Sequence, residues 1–298
     1  NDSAKQQMIE DIDNMFSMDL SAGSINTSET VRDVDQNLYT VSLRSDALPK
    51  DSAGEKYYRS SIRFIMNPKP FNKQPLFKVQ KYVYYLPSCL STGNEPVWLD
   101  CPSTIGKPSI MSHTFFYLKD HGSAVYRDIA YKYFSRALYH WALILVVKDK
   151  NNPDAEGQYK VFRYPKTIEE MIIKEQSGDQ EFGIDPVNVL HPLNGKNLFL
   201  DYRNKTIIDQ QTNKKRTFAS YEKSKFDDKI DMIPHQKFSG LDKSPETLRH
   251  IGMDIYENAP DLSHYVYKNW DAETEKMVLE FIAEKVQDIR VFKKLYSS

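Results

Sequence analysis

Residues 138–164 read LYHWALILVVKDKNNPDAEGQYKVFRY, and their interpretation decides the fold. The first ten positions form the most apolar run in the chain, rich in the branched and aromatic side chains that pack well on a pleated surface. Asn151, Asn152, Pro153, Asp154 and Gly157 then bend the backbone, and Tyr159, Val161, Phe162 and Tyr164 resume the β-rich pattern. Two such runs joined by turn-forming residues predict a hairpin with a long loop. On the N-terminal side, YYRSSIRFI (57–65) and LFKVQKYVYYL (76–86) read as strands, separated by NPKPFNKQP, whose prolines cannot continue a ladder. On the C-terminal side, TIEEMIIKEQ (167–176) reads as a helix, and KNLFLDYRN (196–204) with TIIDQQT (206–212) as a final hairpin.

Short strands with one helix among them predict an α+β fold built on a small Greek-key barrel of the OB type, although other small barrels share the pattern. Residues 87–137 form an insertion that holds both cysteines, several prolines and a helical stretch, SAVYRDIAYKYFSRA. Past Pro234 the pattern turns helical, with PETLRHIGMDIY followed by DAETEKMVLEFIAEKVQDIRVFKKL. The latter lines Val278, Phe281, Ile282, Val286, Ile289 and Phe292 along one face, to be docked on the protein's own core. Acids crowd its start, and Lys293 and Lys294 its end, as the helix dipole favours. Residues 5–18 are spaced like a short acidic helix, and 18–55 read as a polar linker. The expected division is therefore 1–55, an N-terminal helix and linker; 56–236, the core, with the insertion at about 87–137; and 237–298, a C-terminal helical region.

Composition narrows the function. A chain of 298 residues with 40% hydrophobic content can bury a substantial core, and its mean hydropathy of -0.61 with no long apolar stretch argues against a membrane protein. Two cysteines cannot staple a disulfide scaffold, and no N-terminal apolar segment reads as a signal peptide, so a reducing cytosol is expected. The net charge of -1 hides blocks. Residues 1–55 carry four basic and eleven acidic side chains, 56–94 carry seven basic and no acid, and 196–226 carry eight basic against three acidic. Aromatics interleave with the first basic block at Tyr57, Tyr58, Phe64, Phe71, Phe77, Tyr82, Tyr84 and Tyr85. Flat rings offer stacking worth about 1–3 kcal/mol per unpaired base while cations follow phosphates, so this mixture suits a single strand. The 56–81 block and the 214–225 cluster are expected to neutralise phosphates. For any one ring, Phe64 and Phe77 above all, a core position is the simpler reading.

Several ordered motifs carry a family likeness. HWALILVVKDKNNPDAEGQYKVFRY, preceded by YRDIAYKYFSRA and followed by FASYEKSKFDDKIDMIP, with IRFIMN and VWLDCPSTIG upstream, resembles the single-stranded DNA-binding proteins of T-even-type bacteriophages, the replication helix-destabilising proteins. The resemblance spans roughly residues 57–268. It implies an OB-fold core with an inserted subdomain, a basic cleft for single-stranded DNA, and no catalysis. Carried over position by position, it places Arg63, Tyr126, Tyr131, Arg136, Tyr164, Phe218 and Tyr221 in that cleft, with Lys223 and Lys225 as phosphate contacts. Trp141 also matches, in a strand apolar enough to make it core. The implied partners are single-stranded DNA, further copies along it, and phage replication and recombination proteins in the cytoplasm of the infected bacterial host.

The chain departs from the family in three ways. The resemblance implies a structural zinc in the insertion, held by one His and three Cys with the last two spaced C-x-x-C. Here Cys101 stands in register, the region of the pair reads SIMSHT, and the His position falls near Val83 or Tyr84. Tetrahedral zinc wants four good nitrogen or sulfur ligands. Cys89, His113 and His121 lie near as substitutes, but loss of zinc is expected, with no cofactor, and with the insertion held by Trp98, Ile105, Phe115 and Phe116. The basic run that the family sets before its tryptophan strand is reduced to Arg136 in SRALY, and neither a basic N-terminal arm nor an acidic C-terminal tail is visible.

Two rival classes remain open. An RNA-binding or translational regulator could use the same cleft, because every base has a π-face. An enzyme has less support: Glu169 and Glu170 adjoin on a predicted helix and His140 neighbours Trp141, but no pair has the spacing of a triad, a metal motif or a phosphate loop.

Overall fold

The computed structural model describes residues 35–43, 45–71, 76–121, 123–208 and 215–286. The expected opening helix, most of the expected linker, Lys214, and the end of the last helix with Ile289, Phe292, Lys293 and Lys294 lie outside the described residues. The architecture is mixed α+β. Its strands are β1 (Leu38–Tyr39), β2 (Tyr57–Phe64), β3 (Val79–Leu86), β4 (Val97–Asp100), β5 (Arg136–Lys148), β6 (Tyr159–Pro165), β7 (Asn197–Ile208), β8 (Lys215–Ser220) and β9 (Lys225–Phe226). The helices are α1 (Ile110–His121), α2 (Ala124–Ile129) with a π-helical turn over Ala130–Phe134, α3 (Lys166–Ser177), α4 (Pro245–Asn258) and α5 (Ala272–Lys285). The chain forms two compact units: the described parts of Val34–Val79 with His140–Ser263, and of Gln80–Tyr139 with His264–Ser298.

In the first unit the strand order is β1-β6-β5-β2-β7-β8, with β9 also on β7. β1 runs parallel to β6, whereas β2 runs antiparallel to β5 and β7. The inward-facing alternation supplies the core: Ile62 and Phe64 from β2, Ala142, Ile144 and Val146 from β5, Phe162 and Tyr164 from β6, Leu198 and Leu200 from β7. Helix α3 adds Ile168 and Ile172, four apart on one face. Each large apolar side chain so buried contributes about 1.5–3 kcal/mol.

The expected hairpin at 138–164 forms. Gly157, at φ +76°, turns the loop so that its N–H reaches the Val146 carbonyl at 2.8 Å, a conformation that costs a side-chain-bearing residue energy. Asp149 begins the loop fully buried and accepts hydrogen bonds from the hydroxyls of Tyr39 at 2.6 Å and Tyr58 at 2.5 Å, and from the N–H groups of Asn151 and Asn152. The last hairpin differs from expectation. Residues 197–208 are one strand, pairing with β8 from Arg203↔Ser220 to Ile208↔Lys215. The ladder runs unbroken through Asn204 and Lys205, where the two expected strands were to part, into the β-branched Thr206, Ile207 and Ile208.

The second unit joins a β3–β4 hairpin, registered Tyr84↔Leu99 and Tyr85↔Trp98, to α1, α2 and α5. Its core gathers Tyr84, Leu86, Leu99, Cys101, Met111, Leu118, Ala130 and Phe134 beneath Val278, Phe281 and Ile282 of α5. Asp271 caps α5, accepting from the Thr274 N–H at 2.7 Å. The amphipathic face thus docks within its own unit as expected. Two residues expected to hold the insertion do so from its surface and not its core: Trp98 and Phe116 are exposed, because strand and helix periodicity turn them outward, Trp98 against Tyr85 and Tyr139 and Phe116 against Phe115. The C-terminal helices are shared out, α4 to the first unit and α5 to the second.

Candidate nucleic-acid interface

In an antiparallel ladder, directly opposed residues lie on the same face. The register of β7 therefore sets Phe199 opposite Ser61 and Lys225, Asp201 opposite Arg59, Arg203 opposite Tyr57 and Ser220, and Lys205 opposite Phe218. This outer face interleaves rings and cations. Phe218 is 43% exposed and Phe199 is exposed beside Lys225. The Arg59 guanidinium lies 4.5 Å above the Tyr57 ring and that of Arg203 lies 5.5 Å from it. Asp201 joins both arginines, at 2.8 Å to Arg59 Nε and 2.6 Å to Arg203 Nε. Burial pushes the Asp201 carboxyl up, but the hydrogen bonds from Arg203 and Arg59 outweigh it and hold the group below the usual carboxylate range.

Lys223 and Lys225 differ: both are exposed, and neither has a carboxylate partner among the described residues. Their turn is fixed by Ser224, whose N–H donates to the Tyr221 carbonyl at 2.8 Å and whose Oγ accepts from the Asp201 N–H at 3.0 Å. Tyr221 is half-buried, with its ring 4.6 Å from Tyr202 and edge-on to Phe162 at 6.2 Å. Phe218, Tyr221, Lys223 and Lys225 thus share one corner of the first unit, around β8 and β9.

Arg63 and Tyr164 belong to the same unit but lie inside it, each only 1% exposed. Arg63 Nη2 donates to the backbone carbonyls of Asp231 at 2.7 Å and His191 at 3.1 Å, while its Nε–H is buried with no partner among the described residues. Gly195 makes room for it, since a Cβ there would stand 2.6 Å from Nη2. Burial lowers the guanidinium pKa to about 10, against an opposing pull from Asp231. Tyr164 donates its hydroxyl to Glu169 Oε2 at 3.0 Å, stacks on His140 at 5.3 Å and meets Phe64 edge-on. Burial, with Glu169 beside it, raises its pKa well above the ordinary phenol value. As folded, neither side chain presents a surface to a strand: Arg63 ties down the loops around 191 and 231, and Tyr164 is core.

Within the second unit, Tyr131 is 56% exposed on the π-helical turn, a deformation common at functional sites. Its ring meets Phe115 edge-on at 5.4 Å, and Phe115 meets the exposed Phe116 at 5.3 Å. Lys119 stands 5.9 Å from the Phe116 ring. Tyr126 is half-buried against the core. Arg136 is exposed, its guanidinium 4.2 Å from the Tyr82 ring centre and Nη1 3.7 Å from Cys101 Sγ. Phe116, Lys119, Phe199 and Arg203 complete these surfaces and are absent from the sequence-based set, and Tyr57, singled out there among the aromatics of the first basic block, joins them. The outward alternation of Phe199, Asp201, Arg203 and Lys205 was a usable signal for part of them. Phe116 and Lys119 gave none, because the Ser- and Pro-rich stretch before them masked α1.

Cys89 and Cys101 are both free; Cys89 bonds Ser91 and Thr92, whereas Cys101 is buried near Tyr84 and Ser103. Among the described residues no three His, Cys, Asp or Glu side chains gather as a metal site. No helix among them is long and apolar enough to cross a membrane.

Comparison with known proteins matches two phage proteins over part of their length. The chain is 33% identical over 96 residues to the single-stranded DNA-binding protein of Enterobacteria phage T4, covering 32% of this chain and 29% of that protein. It is 34% identical over 87 residues to the single-stranded DNA-binding protein of Enterobacteria phage T2, covering 29% and 26% respectively. The family model described as "gp32 DNA binding protein like" matches residues 59–281, which include both surfaces just described apart from Tyr57, and the chain belongs to that family.

Proposed function

We propose that this chain is a sequence-nonspecific single-stranded DNA-binding protein that coats and protects single strands during phage replication, recombination and repair, in the cytoplasm of the infected host. The core over residues 56–236 is read as an OB-type barrel, a fold whose grooves combine stacking faces with backbone-following cations. The observation that carries the reading is the pairing of exposed rings with unneutralised cations in a member of a DNA-binding family: Phe218 and Phe199 with Lys223 and Lys225. Tyr131, with Phe116 and Lys119, forms a second surface of rings and a cation, although Lys119 also meets Asp120 at 4.0 Å, and Arg136 is exposed in the same unit. Tyr221 packs beside the first of these surfaces and Tyr126 against the core of the second unit, while Arg63 and Tyr164 lie inside the first unit. The strand's partners are further copies of the chain and phage replication and recombination proteins.

Titrating the protein with oligo-dT, a matched RNA and a duplex at equal salt tests this. Preference for single-stranded DNA is expected. Tighter binding to RNA would favour the translational-regulator reading, and equal affinity for duplex would defeat both.

A further inference from the structure

We infer that the second unit is cross-linked by a metal-free node of Tyr84, Cys101, Ser109 and Ser112, standing where the family resemblance implies a structural zinc. The four residues come from three segments: Tyr84 from β3, Cys101 from just past β4, and Ser109 and Ser112 from the start of α1. Ser109 and Ser112 keep the i, i+3 spacing of a C-x-x-C pair, and Tyr84 is one of the two residues, with Val83, near which the resemblance sets its histidine. Tyr84 Oη lies 2.8 Å from Ser109 Oγ and 2.6 Å from Ser112 Oγ, and Cys101 Sγ donates to it at 3.1 Å. Ser112 Oγ lies 4.0 Å from Cys101 Sγ and 3.5 Å from Ser103 Oγ. Tyr84 and Cys101 are fully buried and Ser109 nearly so.

The donor set does not fit zinc. A tetrahedral structural site takes thiolates and imidazoles, and here one sulfur faces three hydroxyls with no imidazole among them. The set does fit a closed hydrogen-bond cluster. A phenol has one proton to give and two lone pairs to receive, and Tyr84 has three partners around its oxygen: two serines and a thiol. The node therefore leaves that buried oxygen satisfied, and it ties the hairpin to α1, the same mechanical task that a metal ion performs.

The full chain tests this directly. Elemental analysis of the purified protein is expected to find zinc far below one equivalent, and thermal unfolding is expected to be unmoved by a strong chelator. One equivalent of zinc, whose removal lowers Tm, would overturn the inference. Tyr84→Phe keeps the ring and removes the central oxygen, and should lower Tm by a few degrees; an unchanged Tm would also overturn it. The triple variant Tyr84→His, Ser109→Cys, Ser112→Cys restores a one-histidine, three-cysteine set. It should take up one equivalent of cobalt(II) with the visible absorption of tetrahedral thiolate coordination, and a folded triple variant that binds none would show that the node does not occupy the metal position. The wild-type measurements need no variant and decide the metal question even where the triple variant does not fold.

Discussion

Residues 56–81 and 217–225 look alike in sequence, cations broken by aromatics, yet the fold uses them differently. In the first stretch Lys56 pairs with Asp46, Arg59 with Asp201, Lys78 with Glu169 and Lys81 with Asp100. Lys69 donates to the Ala259 carbonyl, and Arg63 is buried on backbone carbonyls. Every described cation there has a partner. In the second, Lys223 and Lys225 stand exposed without one among the described residues, next to an exposed Phe218. A block without acids borrows them from distant parts of the chain, so segregation of charge along a sequence does not by itself make a charged surface. Phosphate contacts are therefore expected to concentrate in the second stretch.

The largest effect should separate structure from binding. Arg63→Met removes two charged hydrogen bonds and strands the carbonyls of His191 and Asp231, so it should cost about 3 kcal/mol of stability in urea unfolding. Its salt dependence of DNA binding, measured on the folded fraction, should stay as in the wild type. Tyr131→Ala should do the converse, costing about 1–3 kcal/mol of binding to oligonucleotides of any base composition with little change in Tm. A fall in Tm without loss of affinity would move Tyr131 into the structural class.

Asp201 offers a way to erase the contrast. Its carboxyl is held below its ordinary pKa by Arg203 and Arg59, so its contribution to stability is present above the ordinary carboxylate range and is lost as pH falls through the lowered value. Asp201→Asn should flatten the acid limb of the stability profile. It should also free Arg59 on the outer face while Arg203 keeps Asp51 at 3.3 Å, strengthening binding at low salt and steepening its salt dependence. An acid limb identical to that of the wild type would show that the pair contributes nothing measurable.

The 138–164 hairpin, α3 and the buried face of α5 were legible because each shows its period of apolar residues over a full element. Short β4 and β9 were not, since four and two residues show no period. Helix α1 was hidden because Pro108, Ser109, Ser112 and Thr114 crowd its start with residues that more often cap than propagate helices. For the site, motif matching gave positions but not burial. Tyr131 and Tyr164 are indistinguishable as letters in aromatic-basic runs; what sets Tyr164 inside is its place on the inward alternation of β6 beside Phe162. Arg63 was misleading for a similar reason, as an arginine inside a strand is normally a surface residue and only Gly195 opens the space that buries it.

The most direct measurement is the slope of log affinity against log salt for oligo-dT, compared between the wild type, Lys223→Ala/Lys225→Ala and Lys56→Ala/Lys78→Ala. Each lost phosphate contact on a single strand reduces the slope by about 0.7. The first double variant is expected to be shallower than the wild type by about that much per lysine, and the second to match the wild type. A shallower slope in the second variant with an unchanged slope in the first would contradict the assignment of the phosphate-facing surface to residues 217–225.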